Sequence, residues 1–339
     1  MPDQNILTFG LLFKLNYLKT IVLEKSISGI HHISAIADDP QKNINFYSGI
    51  LGLRFIKKTV NFDDPEAYHF YYGNETGEPG TVLTFFAYPG MKRGRRGNGM
   101  INTIAFSASS GAFNFWVQRL NTFGILHEES EDVFGNGKIL KFNDFDGLAL
   151  EIVFNEKDER TAFTYGNIPS GFSLRGFFNA EIWGDNFEET SKILTQYMDH
   201  ILISKNGNRY RFGALDKPGH YVDFVDSPRV AYASGGSGTV HHMAFITKDE
   251  NTQKDARNKI LQAKLVPTGI INRNYFKSVY FREPGGVLFE IATSGPGFMI
   301  DEDLNDLGTH LKLPSQYESR RDSIEKSLRH VDLNLNDYK

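Results

Sequence analysis

Two stretches decide the fold: IHHISAIA at residues 30–37 and VHHMAFIT at residues 240–247. Each sets a histidine doublet behind an apolar residue and continues as a short, largely apolar run, the composition of a buried strand. A second echo lies further along. FNDFDGLALEI, starting at Phe142, and FREPGGVLFEI, starting at Phe281, align at Phe142/Phe281, Gly147/Gly286, Glu151/Glu290 and Ile152/Ile291 with one constant offset. Two echoes in a consistent order are the signature of a duplicated unit.

Working outward, each unit reads as a strand, a helix-period stretch and three further strands separated by Gly, Asn or Asp turns. The first spans about residues 29–88, with a helix from Asp39-Pro40 to the glycines at 49 and 52, where glycine suits a helix C-terminus. The second, about 98–154, carries the helix GAFNFWVQRLNTFG; the third, about 172–225, carries NFEETSKILTQYMDH; the fourth, about 236–293, carries NTQKDARNKILQA. The expected fold class is α+β, with four tandem βαβββ units forming two open barrel-like domains. In chain order this gives an extension at 1–28, an N-terminal domain at 29–155 from units one and two, and a charged, then Gly/Pro/Ser-containing linker at 156–171. A C-terminal domain at 172–297 follows from units three and four, and then a charged helical arm at 298–339. The arm is expected either to cover the mouth of the site or to pack on the barrel.

Composition narrows the function. The 339 residues are 40% hydrophobic and 23% charged, enough for a sizeable core, and 37 basic against 41 acidic residues give a net charge of −4. Nothing in that balance draws the chain to nucleic acid or an anionic membrane, so small-molecule partners are expected. The apolar stretch FGLLFKLNYLKTIVL near the start is interrupted by Lys14 and Lys19 and falls short of the roughly 20 apolar residues a span needs. It reads as an amphipathic extension docked on the body, and the expected location is the cytoplasm. Cysteine is absent, which removes disulfides, thiolate zinc sites and iron–sulfur clusters. Ten histidines and the carboxylates remain for metal or acid–base chemistry.

Side chains alternate across a strand, so one histidine of each doublet can face a common interior. Glu290 lies in the apolar run VLFEIAT, where an ionised carboxylate is costly unless a cation or strong donors accompany it. Two histidines and one carboxylate make the facial triad of non-haem Fe(II) sites, which leaves coordination positions open. The competing reading is of core histidines bonded to backbone and a glutamate paired with Arg282 or Lys277. Placement at homologous positions of repeated units favours the metal. The segment PGMKRGRRGNG lacks the spacing of a phosphate-binding loop and reads as a connector. His69, His127, His200, His220, His310 and His330 show no partner pattern and are expected in surface or capping roles.

These residues carry a resemblance. Tandem βαβββ units with a histidine in the opening strand and a glutamate in the closing strand resemble the vicinal oxygen chelate superfamily of glyoxalases, extradiol ring-cleaving dioxygenases and antibiotic-resistance proteins. GIHHIS, YPGMKRGRRGNG, GTVHHMAF, REPGGVLFEIAT and DEDLNDLGTHLKLPSQYESRR, over about residues 29–331, are similar to the hydroquinone-type ring-cleaving dioxygenases within it. The resemblance implies a metal site of His32, His242 and Glu290 holding Fe(2+), with Mn(2+) as the other candidate ion. It implies an active-site Tyr280, and further site residues Arg273, His241, His31 and Ser34, the last replacing a threonine. Strand alternation sets Ser34 on the face of His32 and turns His31 and His241 away, so their roles require a splayed strand. The implied activity is opening of hydroquinone-type or catechol-type rings with O2, in quinone or aromatic detoxification. In that reaction Tyr280 would hydrogen-bond the substrate oxygen, His241 would serve as acid–base, and Arg273 would stabilise phenolate charge or the remote hydroxyl. A homo-oligomer is compatible with this reading.

In such a barrel two units could supply four ligands, yet Phe85 aligns with Glu290 in unit one, which leaves three and favours a dioxygenase over a glyoxalase-like isomerase. The other two units offer Thr103, Glu151 and Phe178, with Asp223 as a further candidate, and lack imidazole there. The alternatives are a glyoxalase-like metal-dependent isomerase or lyase, and a non-enzymatic aromatic-binding resistance protein.

Overall fold

The computed structural model describes residues 25–162 and 166–338. The expected docking of the N-terminal extension falls mostly on residues outside that range. Its described end is tied down, since the Ser26 and Ile27 amides both donate to Asp199 Oδ2, at 2.9 and 3.1 Å.

Each unit folds as read. Unit one contains β1 (Ile30–Ala37), α1 (Pro40–Ile44), β2 (Arg54–Asn61), β3 (Asp64–Gly73) and β4 (Val82–Ala87). The Asp39 side chain caps α1 by accepting from Lys42 N, and Pro40 opens the first turn, the arrangement that satisfies an orphan amide at no conformational cost. The helix runs on as a π-helical turn over Asn45–Ile50. Unit two contains β5 (Met100–Ala108), α2 (Phe113–Thr122), β6 (His127–Glu131), β7 (Lys138–Asn143) and β8 (Ala149–Phe154). Unit three contains β9 (Phe177–Gly184), α3 (Phe187–Lys192), β10 (Ile201–Asn206), β11 (Arg209–Gly213) and β12 (Tyr221–Asp226). Unit four contains β13 (Thr239–Thr247), α4 (Glu250–Gln262), β14 (Ile271–Asn272), β15 (Lys277–Arg282) and β16 (Leu288–Thr293). In every unit the first strand pairs parallel with the last, and the remaining pairs are antiparallel.

The strands form two curled eight-stranded sheets, and these cut across the expected division at 29–155 and 172–297. One sheet has the order β14-β15-β16-β13-β1-β4-β3-β2 and the other β10-β11-β12-β9-β5-β8-β7-β6. Unit one therefore joins unit four, and unit two joins unit three, through antiparallel pairing of opening strands. The physical cause is edge satisfaction: an opening strand with its own unit on one side has a free row of backbone donors and acceptors on the other. Chain adjacency does not decide which unit fills it.

The glycine-rich connector between units one and two pairs with the connector between units three and four, through bridges Arg93–Ser237, Arg95–Ser234 and Asn98–Tyr232. Glycine is needed where the two backbones touch: a Cβ on Gly97 would lie 2.2 Å from the Ala231 carbonyl oxygen. The C-terminal arm differs from a helical arm. Arg321–Ser327 is its α-helix, α5, and much of the rest is 3₁₀ turns and extended chain. It packs along unit one, with Lys312 N donating to Lys58 O at 2.9 Å and the Tyr317 hydroxyl donating to Phe62 O at 2.8 Å. Among the described residues, no helix is long and apolar enough to cross a membrane.

Candidate metal centre

The two histidine doublets meet where β1 and β13 pair at the centre of the first sheet. The register runs Ile30 to Phe245 and then His32 to Ala244, skipping His31; further on it runs Ser34 to His242 and then Ala35 to Val240, skipping His241. Each skipped residue is a β-bulge, which breaks the strict alternation of faces and re-aims the side chain. This is the splay that the sequence reading required. It brings His31 Nδ1 to 2.9 Å from His32 Nδ1, and His241 Nδ1 to 2.7 Å from His242 Nδ1.

His32, His242 and Glu290 converge. Glu290 Oε2 lies 3.2 Å from His32 Nε2 and 3.0 Å from His242 Nε2, and the two Nε2 atoms are 3.3 Å apart. All three side chains are buried, Glu290 completely. Its Oε1 accepts from the Ser278 hydroxyl at 2.5 Å, whereas the buried Oε2 makes no hydrogen bond. Burial opposes ionisation of Glu290, and the two imidazoles outweigh it, holding the carboxyl well below its ordinary range.

The hydrogen count identifies the free lone pairs. His31 Nε2 faces the Thr293 carbonyl at 3.1 Å and must donate to it. Burial, together with His32, lowers His31 to about 3, so the ring is neutral and its Nδ1 accepts from His32 Nδ1–H. That leaves His32 Nε2 as the nitrogen facing Glu290. Donors bonded to one octahedral ion at about 2.1 Å stand about 3 Å apart along an edge, close to the separations found. An unbonded buried carboxylate oxygen between two imidazole nitrogens fits a divalent cation.

The triad opens on a cavity of about 670 Å³ whose wall includes Ser34, His241, Arg273 and Tyr280. Tyr280 stands opposite Glu290 across β15 and β16, and its ring lies 5.6 Å from that of His242. Arg273 Nε donates to the Tyr280 oxygen at 3.3 Å, and its Nη2 reaches Asp63 at 3.2 Å. Burial and Glu290 raise the Tyr280 phenol, so it keeps its proton. His31 stands behind His32, outside the cavity wall, and touches the triad through that ring alone. Phe276 packs on both, 5.1 Å from His31 and 4.9 Å from His32.

Three positions differ from the sequence reading. Ser34 pairs with Thr84 and Ala244 pairs with Glu290, each two residues after a triad histidine, so Thr84 occupies the place assigned to Phe85. Phe85 faces the opposite side and packs 4.4 Å from Tyr47. In unit three the same register puts Asn179, with Phe178 as the bulged residue, where Phe178 was expected. His69 is not a surface residue: it lines the cavity with Tyr71, and both escaped the sequence reading. Their signal was the alternation in YHFYYG, which puts His69 and Tyr71 on one face.

The second sheet presents Thr103, Glu151, Asn179 and Asp223 at the corresponding positions. Arg211 supplies a built-in cation there, donating to Asp223 from Nε at 2.8 Å and from Nη2 at 2.7 Å, while Asn179 donates to Asp223 at 2.7 Å. Glu151 is raised from 4.5 to about 7 by burial and by the neighbouring Glu181. Because its folded value exceeds its unfolded one, stability is full below about pH 4.5 and falls as pH climbs toward 7. Glu151→Gln is therefore expected to raise the urea midpoint at pH 8 and to leave it near wild type at pH 4.5. An unchanged midpoint at pH 8 would contradict this placement.

The architecture and site define a class. Residues 29–152 match the Glyoxalase/Bleomycin resistance protein/Dioxygenase superfamily, and the chain belongs to it. Among its relatives, "Putative ring-cleaving dioxygenase MhqO" of Bacillus subtilis is 39% identical over 306 residues, spanning 90% of this chain and 97% of that protein. "Chlorohydroquinone/hydroquinone 1,2-dioxygenase" of Sphingobium indicum is 31% identical over 318 residues, spanning 90% and 97%. The crystal structure of a "putative dioxygenase" from Bacillus subtilis superposes with a TM-score of 0.88 at 39% identity, covering 91% of this chain and 99% of that one. Glyoxalase I from Zea mays, at 13% identity and a TM-score of 0.58 over 89% of this chain and 97% of its own, shares the fold.

Proposed function

We propose that this chain is an Fe(II)-dependent, extradiol-type dioxygenase that opens hydroquinone-type rings with O2. The observation that carries the reading is the buried Glu290 Oε2, without a hydrogen bond, facing both Nε2 atoms at 3.2 and 3.0 Å. His32, His242 and Glu290 would hold the ion. When bound there, Fe(II) supplies open coordination positions and a Lewis-acid charge that lowers the pKa of a phenol. Relatives named for ring cleavage and for hydroquinone support the substrate class.

The chain's own groups suit that substrate. Arg273, charged and braced by Asp63, stabilises phenolate charge at the cavity wall. Because Arg273 donates to the Tyr280 oxygen, the Tyr280 hydrogen is free to point at the substrate oxygen. His241 accepts from His242 through Nδ1 and holds its own hydrogen at Nε2, where it can be donated. Ile36, Phe86, Phe276 and Leu288 line the apolar wall for the ring. An isomerase of glyoxalase type has less support. Its fourth ligand would come from Thr84, whose hydroxyl is already bonded to Ser34 at 2.7 Å and His69 at 2.9 Å.

The test is oxygen uptake by Fe(II)-loaded protein with methylhydroquinone and with catechol. Uptake with methylhydroquinone is expected. No uptake with either phenol, together with no bound iron, would contradict the reading.

A further inference from the structure

The first unit has rebuilt its ligand corner as a chain of neutral hydrogen-bonding groups. Tyr71 stands opposite Thr84 as Tyr280 stands opposite Glu290. His69 precedes Tyr71 by two residues, as Ser278 precedes Tyr280. Where Ser278 bonds the glutamate, His69 bonds the threonine. The Tyr71 hydroxyl is 3.0 Å from His69 Nδ1, His69 Nε2 is 2.9 Å from Thr84 Oγ1, and Thr84 Oγ1 is 2.7 Å from Ser34 Oγ. All four side chains are buried, and Ser34, His69 and Tyr71 line the same cavity as the triad.

Each of the four groups carries one hydrogen, because burial holds the His69 imidazole well below its usual range and hence neutral. Three links consume three hydrogens. The fourth projects from one end of the chain, and the other end presents a lone pair. If Ser34 donates outward, then Thr84 donates to Ser34, His69 Nε2–H donates to Thr84, and Tyr71 donates to His69 Nδ1, leaving the Tyr71 oxygen as acceptor. Reversing the end reverses every link.

We infer that Tyr71, His69, Thr84 and Ser34 together read the second hydroxyl of the substrate, Ser34 donating to the phenol oxygen beside the triad and Tyr71 accepting from the hydroxyl across the ring. This rests on the hydroquinone reading above. Ser34 is the end beside the metal site: it pairs with His242 and shares a face with His32. An ionising phenol oxygen there requires a donor, which fixes the ordering and makes Tyr71 an acceptor. A ring with a free second hydroxyl satisfies that acceptor, whereas its methyl ether leaves a buried oxygen unpaired. His69 is a positioning residue, acting through the two groups it joins.

The test measures anaerobic binding of hydroquinone and of 4-methoxyphenol to the Fe(II)-loaded protein. Wild type is expected to prefer hydroquinone by about 10-fold or more. His69→Phe retains a ring between Tyr71 and Phe86, each centred 4.2 Å away, and removes both nitrogens. The variant is expected to hold iron as wild type does and to bind the two phenols alike, as is Tyr71→Phe, which deletes the acceptor together with the hydrogen it gives to His69 Nδ1. A wild-type preference kept in both variants overturns the inference and leaves the substrate class standing. Failure of the wild type to bind either phenol overturns the substrate class and the inference with it.

Discussion

Glu290→Gln protein is expected to emerge from anaerobic gel filtration without iron and to take up oxygen with methylhydroquinone at least about 100-fold more slowly than wild type. Glutamine keeps the length and shape of the side chain and can still accept from Ser278, so the sheet has no reason to rearrange. What it loses is the anionic oxygen facing two imidazoles at 3.2 and 3.0 Å. An amide oxygen is a weaker ligand, and an amide nitrogen turned inward is no ligand at all. His242→Ala removes a second donor and should give the same result. Glu151→Gln, the aligned change in the second sheet, should retain iron. A Glu290→Gln protein that keeps iron at the wild-type level would show that the ion sits elsewhere.

The second large effect lies away from the triad. Lys57 is fully buried on β2, with its ammonium on the Glu302 carboxylate, 2.7 Å from Asp301 Oδ1 and 3.2 Å from the Phe298 carbonyl oxygen. It ties the start of the C-terminal arm to the first unit. Lys57→Met keeps the apolar stem and leaves Glu302, itself buried, without its ammonium partner. Breaking a buried pair from one side costs about 3–5 kcal/mol, and the urea midpoint should fall accordingly. Removing the stranded charge as well, in Lys57→Met with Glu302→Gln, should recover part of the loss. The arm also bears on the site. Phe298 packs 4.9 Å from Tyr275, and the adjacent Phe276 packs 4.9 Å from His32. A single variant with an unchanged midpoint would mean that the arm contributes little to folding.

The triad was legible because its residue types are expensive where they stand. A carboxylate in VLFEIAT and paired histidines in two apolar strands demand an explanation, and the internal repeat pointed to a shared one. Why His31 and His241 touch the triad was not legible. It depends on one skipped residue in each strand of a pair, and the skip exists only relative to a partner that the local sequence does not name. The Phe85 and Phe178 alignments failed for the same reason, since a slip of one residue reverses the face a side chain occupies. The pairing of unit one with unit four was half written in the converging residues, His32 in one and His242 with Glu290 in the other. Local hydrophobic pattern carries no such information. The edge strands β6 and β10 are largely exposed or half-buried along their length and so lack the apolar runs by which the inner strands were found.

In the proposed reaction, three side chains from two units hold an iron at which a hydroquinone ring is opened by dioxygen. Mass spectrometry of the product formed from methylhydroquinone under isotopically labelled dioxygen tests it most directly. The expected product is a ring-opened acid carrying both atoms of the labelled dioxygen, formed only by iron-loaded protein. A methylbenzoquinone free of label, with the dioxygen reduced separately, would contradict it.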